Sequence, residues 1–377
     1  MMADVFESVF GQPRVREFLR ACVSSGKVSH AYLFCGPSGS NKTQAAFSFA
    51  RAILCASDPC SDCEGCTSAS CAKIARKTHP DVHYLAPEGA QGYVVDQVRD
   101  LVADTSLAPI EANKKVYIID RVDLMGAAPA NAFLKTLEEP PSDVVLILLG
   151  RTRESVLPTI VSRCQVVPFR HIPASEAAGI LVQNTGCTLP EASIAIEACG
   201  GSITKAAEFL RSKERAQFRR KMVAALASLA RADDIDVLSC ASDIVLAAKA
   251  PLDEVRREQE RMMEERAEFL QKAALKTLET RNKRALSQAS FELLGQVTSI
   301  TRSWLRDVGM ICSQAEGLVV NVDCIDALRD CAGRTDLGRV CEALERVSAA
   351  ETAISYNVSP QVSIEAMLFE IREVLYA

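Results

Sequence analysis

The stretch Gly36-Pro37-Ser38-Gly39-Ser40-Asn41-Lys42-Thr43 constrains the fold more than any other. An unbroken apolar run, Ala31-Tyr32-Leu33-Phe34-Cys35, precedes it, and a segment rich in Ala, Phe and Ile follows from Lys42 to Leu54. A continuous apolar pentad suits a strand buried on both faces, as in a parallel sheet. Strand, glycine-containing loop and helix form the context in which G-x-x-x-x-G-K-[ST] cradles a phosphate. The loop N–H groups and the helix N-terminus favour the anion. Gly36, Lys42 and Thr43 meet that pattern, with Gly39 inside the loop, but Asn41 stands where the second motif glycine belongs. Asn enters the positive-φ region more readily than most residues with a side chain, so the loop can still close. ATP or ADP is the nucleotide such a loop would hold.

The segments downstream keep alternating between strand and helix patterns. Val82 to Leu85 reads as a second strand, Val94 to Val102 as a helix, and Lys114 to Asp120 as an apolar strand ending in a carboxylate. Ala130 to Glu139 reads as a helix stopped by Pro140-Pro141, Val144 to Leu149 as a buried strand, Ser155 to Ser162 as a short helix and Gln165 to Phe169 as a last strand. This alternation implies a mostly parallel sheet covered on both faces. Asp120 is placed to hold magnesium beside a phosphate loop. Hydrolysis also needs a group to activate water, and in one large ATPase class a Glu directly follows this Asp. Here the position is Arg121, and a cation cannot act as the base.

From Pro173 onward the strand patterns stop and everything to Ala377 reads as helix, including an entry into a buried stretch at Trp304 and a final amphipathic helix from Val362 to Tyr376. The helix Val9 to Ser25 opens the chain. A length of 377 residues and 48% apolar content support two or three folded domains. A net charge of −5 is no footprint of a stand-alone nucleic-acid or membrane binder. The first ten residues lack the apolar core of a secretory leader, and a cytoplasmic location is expected, with no membrane partner.

Fifteen cysteines are many for a cytosolic chain, where disulfides are disfavoured. Five of them, Cys55, Cys60, Cys63, Cys66 and Cys71, fall within seventeen residues. The two-residue spacers of Cys60-x2-Cys63-x2-Cys66 let successive thiolates turn onto one tetrahedral ion, so a structural zinc held by four of these five is expected. Cys63 and Cys66 belong to every plausible set. His30, His79 and His83 read as structural.

Residues 1–170 resemble bacterial clamp-loader subunits of the AAA+ class, those of the DNA polymerase III holoenzyme, and look most like the delta-prime type. The matching stretches are His30 to Phe34, the cysteine cluster, His79-Pro80-Asp81, Asp96 to Arg99, Lys115 to Asp120, Asn131 to Pro141 and Ser162-Arg163-Cys164. The helical half matches weakly, through Trp304–Val308 and Asn357 onward. The resemblance implies a RecA-like AAA+ core over 1–170 with a zinc module at about 55–71, a three-helix lid over 171–213 and a helical collar over 214–377. It implies a hetero-pentamer with delta- and gamma/tau-type subunits that opens a sliding clamp and loads it on primer-template DNA. Ser162-Arg163-Cys164 matches the family's arginine-finger motif, so Arg163 is expected to act on a neighbouring subunit's ATP. Asn41, Arg121 and Thr204, where motor subunits carry glycine, Glu and arginine, point to a non-motor subunit with little or no ATPase of its own. The alternative is an ATP-hydrolysing motor subunit of the gamma/tau kind.

Overall fold

A computed structural model describes residues 5–55, 69–88, 92–267, 272–355 and 359–376. The chain divides into two compact units, Met1–Ile180 and Leu181–Ala377, and the division falls inside a helix.

The first unit is built on five parallel strands: β1 (Ala31–Cys35), β2 (Val82–Leu85), β3 (Lys115–Ile119), β4 (Val144–Gly150) and β5 (Gln165–Pro168). Their order across the sheet is β2-β3-β4-β1-β5. β1, β3 and β4 are buried at every position, which is why they are almost wholly apolar. Alternate residues face opposite layers. Tyr32, Phe34, Val116, Ile118, Ile147 and Leu149 pack with helices α1 (Pro13–Ser24) and α2 (Lys42–Leu54). Leu33, Tyr117, Ile119, Leu146 and Leu148 pack with α4 (Val95–Thr105), α5 (Ala127–Glu138) and α6 (Pro158–Val161). A short helix, α3 (Ala69–Ala75), lies between α2 and α4 in the sequence.

The first helix begins at Pro13, four residues later than the apolar pattern suggests. Gly11 adopts φ +69, which ends any helix there, and Pro13 occupies the first turn, where its missing N–H costs nothing. Val9 is buried all the same, in a turn packed against α2.

The second unit is helical throughout its described residues. It comprises the end of α7 (Ala174–Thr185), then α8 (Leu189–Ala198), α9 (Ile203–Arg211), α10 (Lys213–Ser228), α11 (Asp234–Ala267), α12 (Lys272–Cys312), α13 (Ile325–Ala332), α14 (Leu337–Ser355) and α15 (Pro360–Tyr376). Thr188 and Glu191 close a capping box at the start of α8. Trp304 is buried in α12, and beside it Asp307, with no exposed surface, accepts backbone N–H bonds from Val320 at 3.0 Å and Asn321 at 2.7 Å. Arg306 reaches Glu197 at 2.6 Å and so ties α8 to α12. No helix among the described residues is long and apolar enough to cross a membrane.

Candidate nucleotide site and arginine

The loop after β1 leaves the sheet at its carboxyl edge. Gly36 donates its N–H to Gly150 O at 3.2 Å, continuing the sheet for one residue. A Cβ at Gly36 would lie 2.6 Å from Phe169 O and 2.7 Å from Phe169 Cβ, so only glycine fits. Gly39 has φ +76, and Asn41 has φ +69 with ψ +20, a left-handed conformation that glycine would supply without strain. Its side chain is used as well: Asn41 Nδ2 donates to Ser8 O at 3.0 Å. Lys42 Nζ folds over the loop, donating to Gly36 O, to Pro37 O at 2.8 Å and to Ser40 Oγ at 3.2 Å. Burial pulls the Lys42 ammonium below its ordinary value, and the Asp120 and Asp123 carboxylates oppose that fall. Thr43 follows in the first turn of α2.

Sequence reasoning missed Gln12. This buried side chain donates to Ser40 O at 3.1 Å and Arg170 O at 2.8 Å, and accepts from Arg170 N at 3.2 Å. It thereby fastens the loop to the chain leaving β5. Nothing in a single glutamine between Gly11 and Pro13 signals a contact across 158 residues.

β4 separates β3 from β1, and all three run parallel, so Asp120 and the loop share the carboxyl edge. Asp120 is already engaged. Tyr84 donates its hydroxyl to Oδ2 at 2.6 Å, Arg121 N–H donates to Oδ1 at 2.9 Å, and Tyr93 donates to the Asp120 carbonyl. Burial drives the Tyr93 phenol well above its ordinary value, and Asp120 adds to the rise. Arg121 is exposed and left-handed at φ +49. Asp123 sits in a 3-10 turn with a buried Oδ1 that has no hydrogen-bond partner.

The loop, Lys42 and Thr43 therefore fit a phosphate group. The magnesium half of the site fits less well, because both oxygens of Asp120 already accept hydrogen bonds within the protein. This arrangement can bind and neutralise an anion but offers no residue at position 121 to activate water.

Of the cysteine cluster, Cys60, Cys63 and Cys66 lie outside the described residues. Cys55 ends α2, Cys71 is buried in α3, and their sulfurs are 3.6 Å apart. Two thiolates on one tetrahedral zinc are separated by about 3.8 Å, given Zn–S bonds of about 2.3 Å. The pair thus suits two corners of such a site. Burial pushes the Cys164 and Cys199 thiols up to about 12, which makes them inert rather than reactive. His79 accepts the Asp81 N–H at 3.1 Å, and His83 stacks on Tyr117 at 4.8 Å, both packing roles.

Arg163 lies at the opposite edge of the sheet from the loop. It precedes β5, whose Gln165 pairs with Tyr32 near the start of β1, whereas the loop leaves the end of β1. The guanidinium is on the surface. Nε donates to Glu138 Oε1 at 2.8 Å, Nη2 reaches the same oxygen, and Nη1 donates to Thr159 O at 2.8 Å and Ser162 Oγ at 3.1 Å.

Residues 11–173 match the family model described as DNA polymerase III, delta subunit. The chain is 32% identical over 212 residues to DNA polymerase III subunit delta' of Bacillus subtilis, covering 56% of this chain and 63% of that protein. It is 40% identical over 154 residues to subunit delta' of Pseudomonas aeruginosa, covering 39% and 45%. To subunit tau of Bacillus subtilis it is 38% identical over 178 residues, covering 46% and 30%. These three matches span between 30% and 63% of the relatives' own lengths.

Proposed function

We propose that this chain, similar to DNA polymerase III delta' subunits, is a non-motor subunit of a replicative clamp loader. In this reading it joins delta- and gamma/tau-type subunits in a cytoplasmic hetero-pentamer that opens a sliding clamp and places it on primer-template DNA. The observation that carries the non-motor half is the state of Asp120. Its carboxylate is held by Tyr84 and by the N–H of Arg121, and the residue after it is a cation. The tau-like reading would need a water-activating carboxylate there.

The same fold supports a role in trans for Arg163. The arginine is at the sheet edge remote from its own loop, so it cannot serve that loop. On the surface it can meet phosphates bound to a neighbour. A planar guanidinium contacts two phosphate oxygens at once, and arginine fingers are worth about 10³–10⁵-fold in other phosphoryl-transfer systems. For assembly, α11 exposes Ile235, Leu238 and Leu246, which fall on one face at helical spacing and suit a subunit contact. A structural zinc on four of Cys55, Cys60, Cys63, Cys66 and Cys71 completes the reading. The lid over 171–213 and the collar over 214–377 are part of it.

Two measurements test the proposal. Co-expression with clamp-loader subunits is expected to recover a stable complex containing this chain; a chain that purifies alone under those conditions is not a loader subunit. The isolated chain is expected to show negligible ATPase, since losing general-base catalysis costs about 10²–10⁴-fold. Turnover abolished by Lys42→Ala would assign it to the motor class instead.

A further inference from the structure

The two halves of the phosphate site are built differently, and one residue accounts for the difference. Tyr84 is the third residue of β2 and pairs with Ile118 of β3, so its backbone is fixed beside the strand that ends at Asp120. Its ring stacks on Phe47 of α2 at 5.9 Å, which aims the hydroxyl along the sheet toward Asp120 Oδ2 at 2.6 Å. A phenol donating to a carboxylate at this distance is a short, charge-assisted bond. The other oxygen takes the Arg121 N–H at 2.9 Å, delivered by a left-handed residue.

Magnesium dehydrates reluctantly and asks for near-ideal octahedral oxygen ligands. Each Asp120 oxygen already accepts one hydrogen bond, so an ion at Oδ2 must share that oxygen with, or displace, a Tyr84 hydroxyl whose ring is held by strand pairing and by Phe47. Lys42 Nζ is engaged too, with Gly36 O, Pro37 O and Ser40 Oγ, but it sits on a flexible stem that can turn from those acceptors to a phosphate.

We propose that Tyr84 withholds Asp120 from divalent cations, so that the loop takes the phosphates of a nucleoside diphosphate without magnesium. This rests on reading residues 36–43 as a phosphate site. Tyr84 is a specificity-determining residue here: it sets which form of the nucleotide is accepted and touches no phosphate.

The experiment is calorimetric titration of ADP into the full chain, in magnesium and in EDTA, for wild type, Tyr84→Phe and Lys42→Ala. Phe keeps the stack on Phe47 and removes only the hydroxyl, and thermal melts check that each variant folds. Wild-type affinity is expected to be the same in both buffers within about twofold. Tyr84→Phe is expected to bind roughly ten- to a hundredfold tighter in magnesium, the equivalent of one charge-assisted hydrogen bond, and to match wild type in EDTA. Lys42→Ala is expected to lose binding in both. If wild type requires magnesium, or if Tyr84→Phe gains nothing from it while Lys42→Ala still loses binding, the role of Tyr84 is wrong and the loop reading stands. If Lys42→Ala binds like wild type, or if no protein binds ADP in either buffer, the phosphate site itself falls and the inference with it.

Discussion

At the scale of single residues, the loop shows how backbone geometry selects side chains. Gly36 is enclosed by Phe169, whose carbonyl and Cβ would sit inside van der Waals contact of any added methyl. Gly36→Ala is therefore expected to cost about 1–3 kcal/mol through overpacking. Gly295→Ala, inside α12 with nothing within 4 Å of the added atom, is expected to be neutral or to stabilise by up to about 1 kcal/mol. Denaturant melts of the two variants compare them directly, and equal stability would mean that the Phe169 contact is not restrictive. Asn41 makes the complementary point. The lost motif glycine has not cost the loop its left-handed turn, because Asn enters that region with little strain and gains a bond to Ser8 O. The departure from the motif was visible in the sequence; the engagement of Asp120 by Tyr84 was not. That contact spans 36 positions and depends on the register of β2 against β3, which no local pattern encodes.

At the scale of elements, β1, β2 and α2 lie where their patterns place them, because turn residues bound the two short segments too closely for a helix and α2 is long enough for one. Helix ends were less legible. α1 starts late because Gly11 and Pro13 override the apolar periodicity before them, and α3 offers only Cys71 and Ile74 as buried markers, too few to reveal a period. The segment before β3 depends on a buried carboxylate. Asp81 accepts N–H bonds from Ile110 at 2.6 Å, Glu111 at 2.8 Å and Ala112 at 2.8 Å. Burial alone would raise its pKa, but these three donors outweigh burial and hold it below the usual carboxylate range. A depressed carboxylate stabilises the fold at pH above its unfolded value of about 3.9, and that contribution disappears as pH falls through the lower folded value. Asp81→Asn is thus expected to lose about 1–3 kcal/mol near neutral pH, with the gap to wild type closing in acid. Urea unfolding from pH 7 down to 3 measures it, and a gap independent of pH would mean that the charge of Asp81 contributes nothing. The cysteine cluster belongs to this scale too. Stripping metal with a chelator, or Cys63→Ser, is expected to expose thiols and lower the melting temperature of the first unit while helical content in the second persists. Elemental analysis showing no zinc in fresh protein would remove the metal from the account.

At the scale of the whole molecule, the glycine-containing loop lies at the carboxyl edge of the sheet and Arg163 at the other. In the proposed reading, that placement aims the arginine at ATP bound by another subunit. The sheet and the loop were legible from the first 170 residues because their motifs are local. The location of Arg163 relative to the loop was not, since it follows from β5 pairing beside β1. Its guanidinium rests on Glu138 and Thr159, and those exposed contacts are weak enough to exchange for phosphate oxygens. The most direct measurement of the central claim is the clamp- and DNA-stimulated ATPase of a reconstituted loader carrying Arg163→Ala, with Arg163→Lys beside it and assembly checked by size exclusion. Arg163→Ala is expected to assemble normally and to lose the turnover of the adjacent motor site, with Lys restoring it only in part because a point charge cannot make the bidentate contact. A complex that assembles and hydrolyses ATP at the wild-type rate with Arg163→Ala would contradict the account.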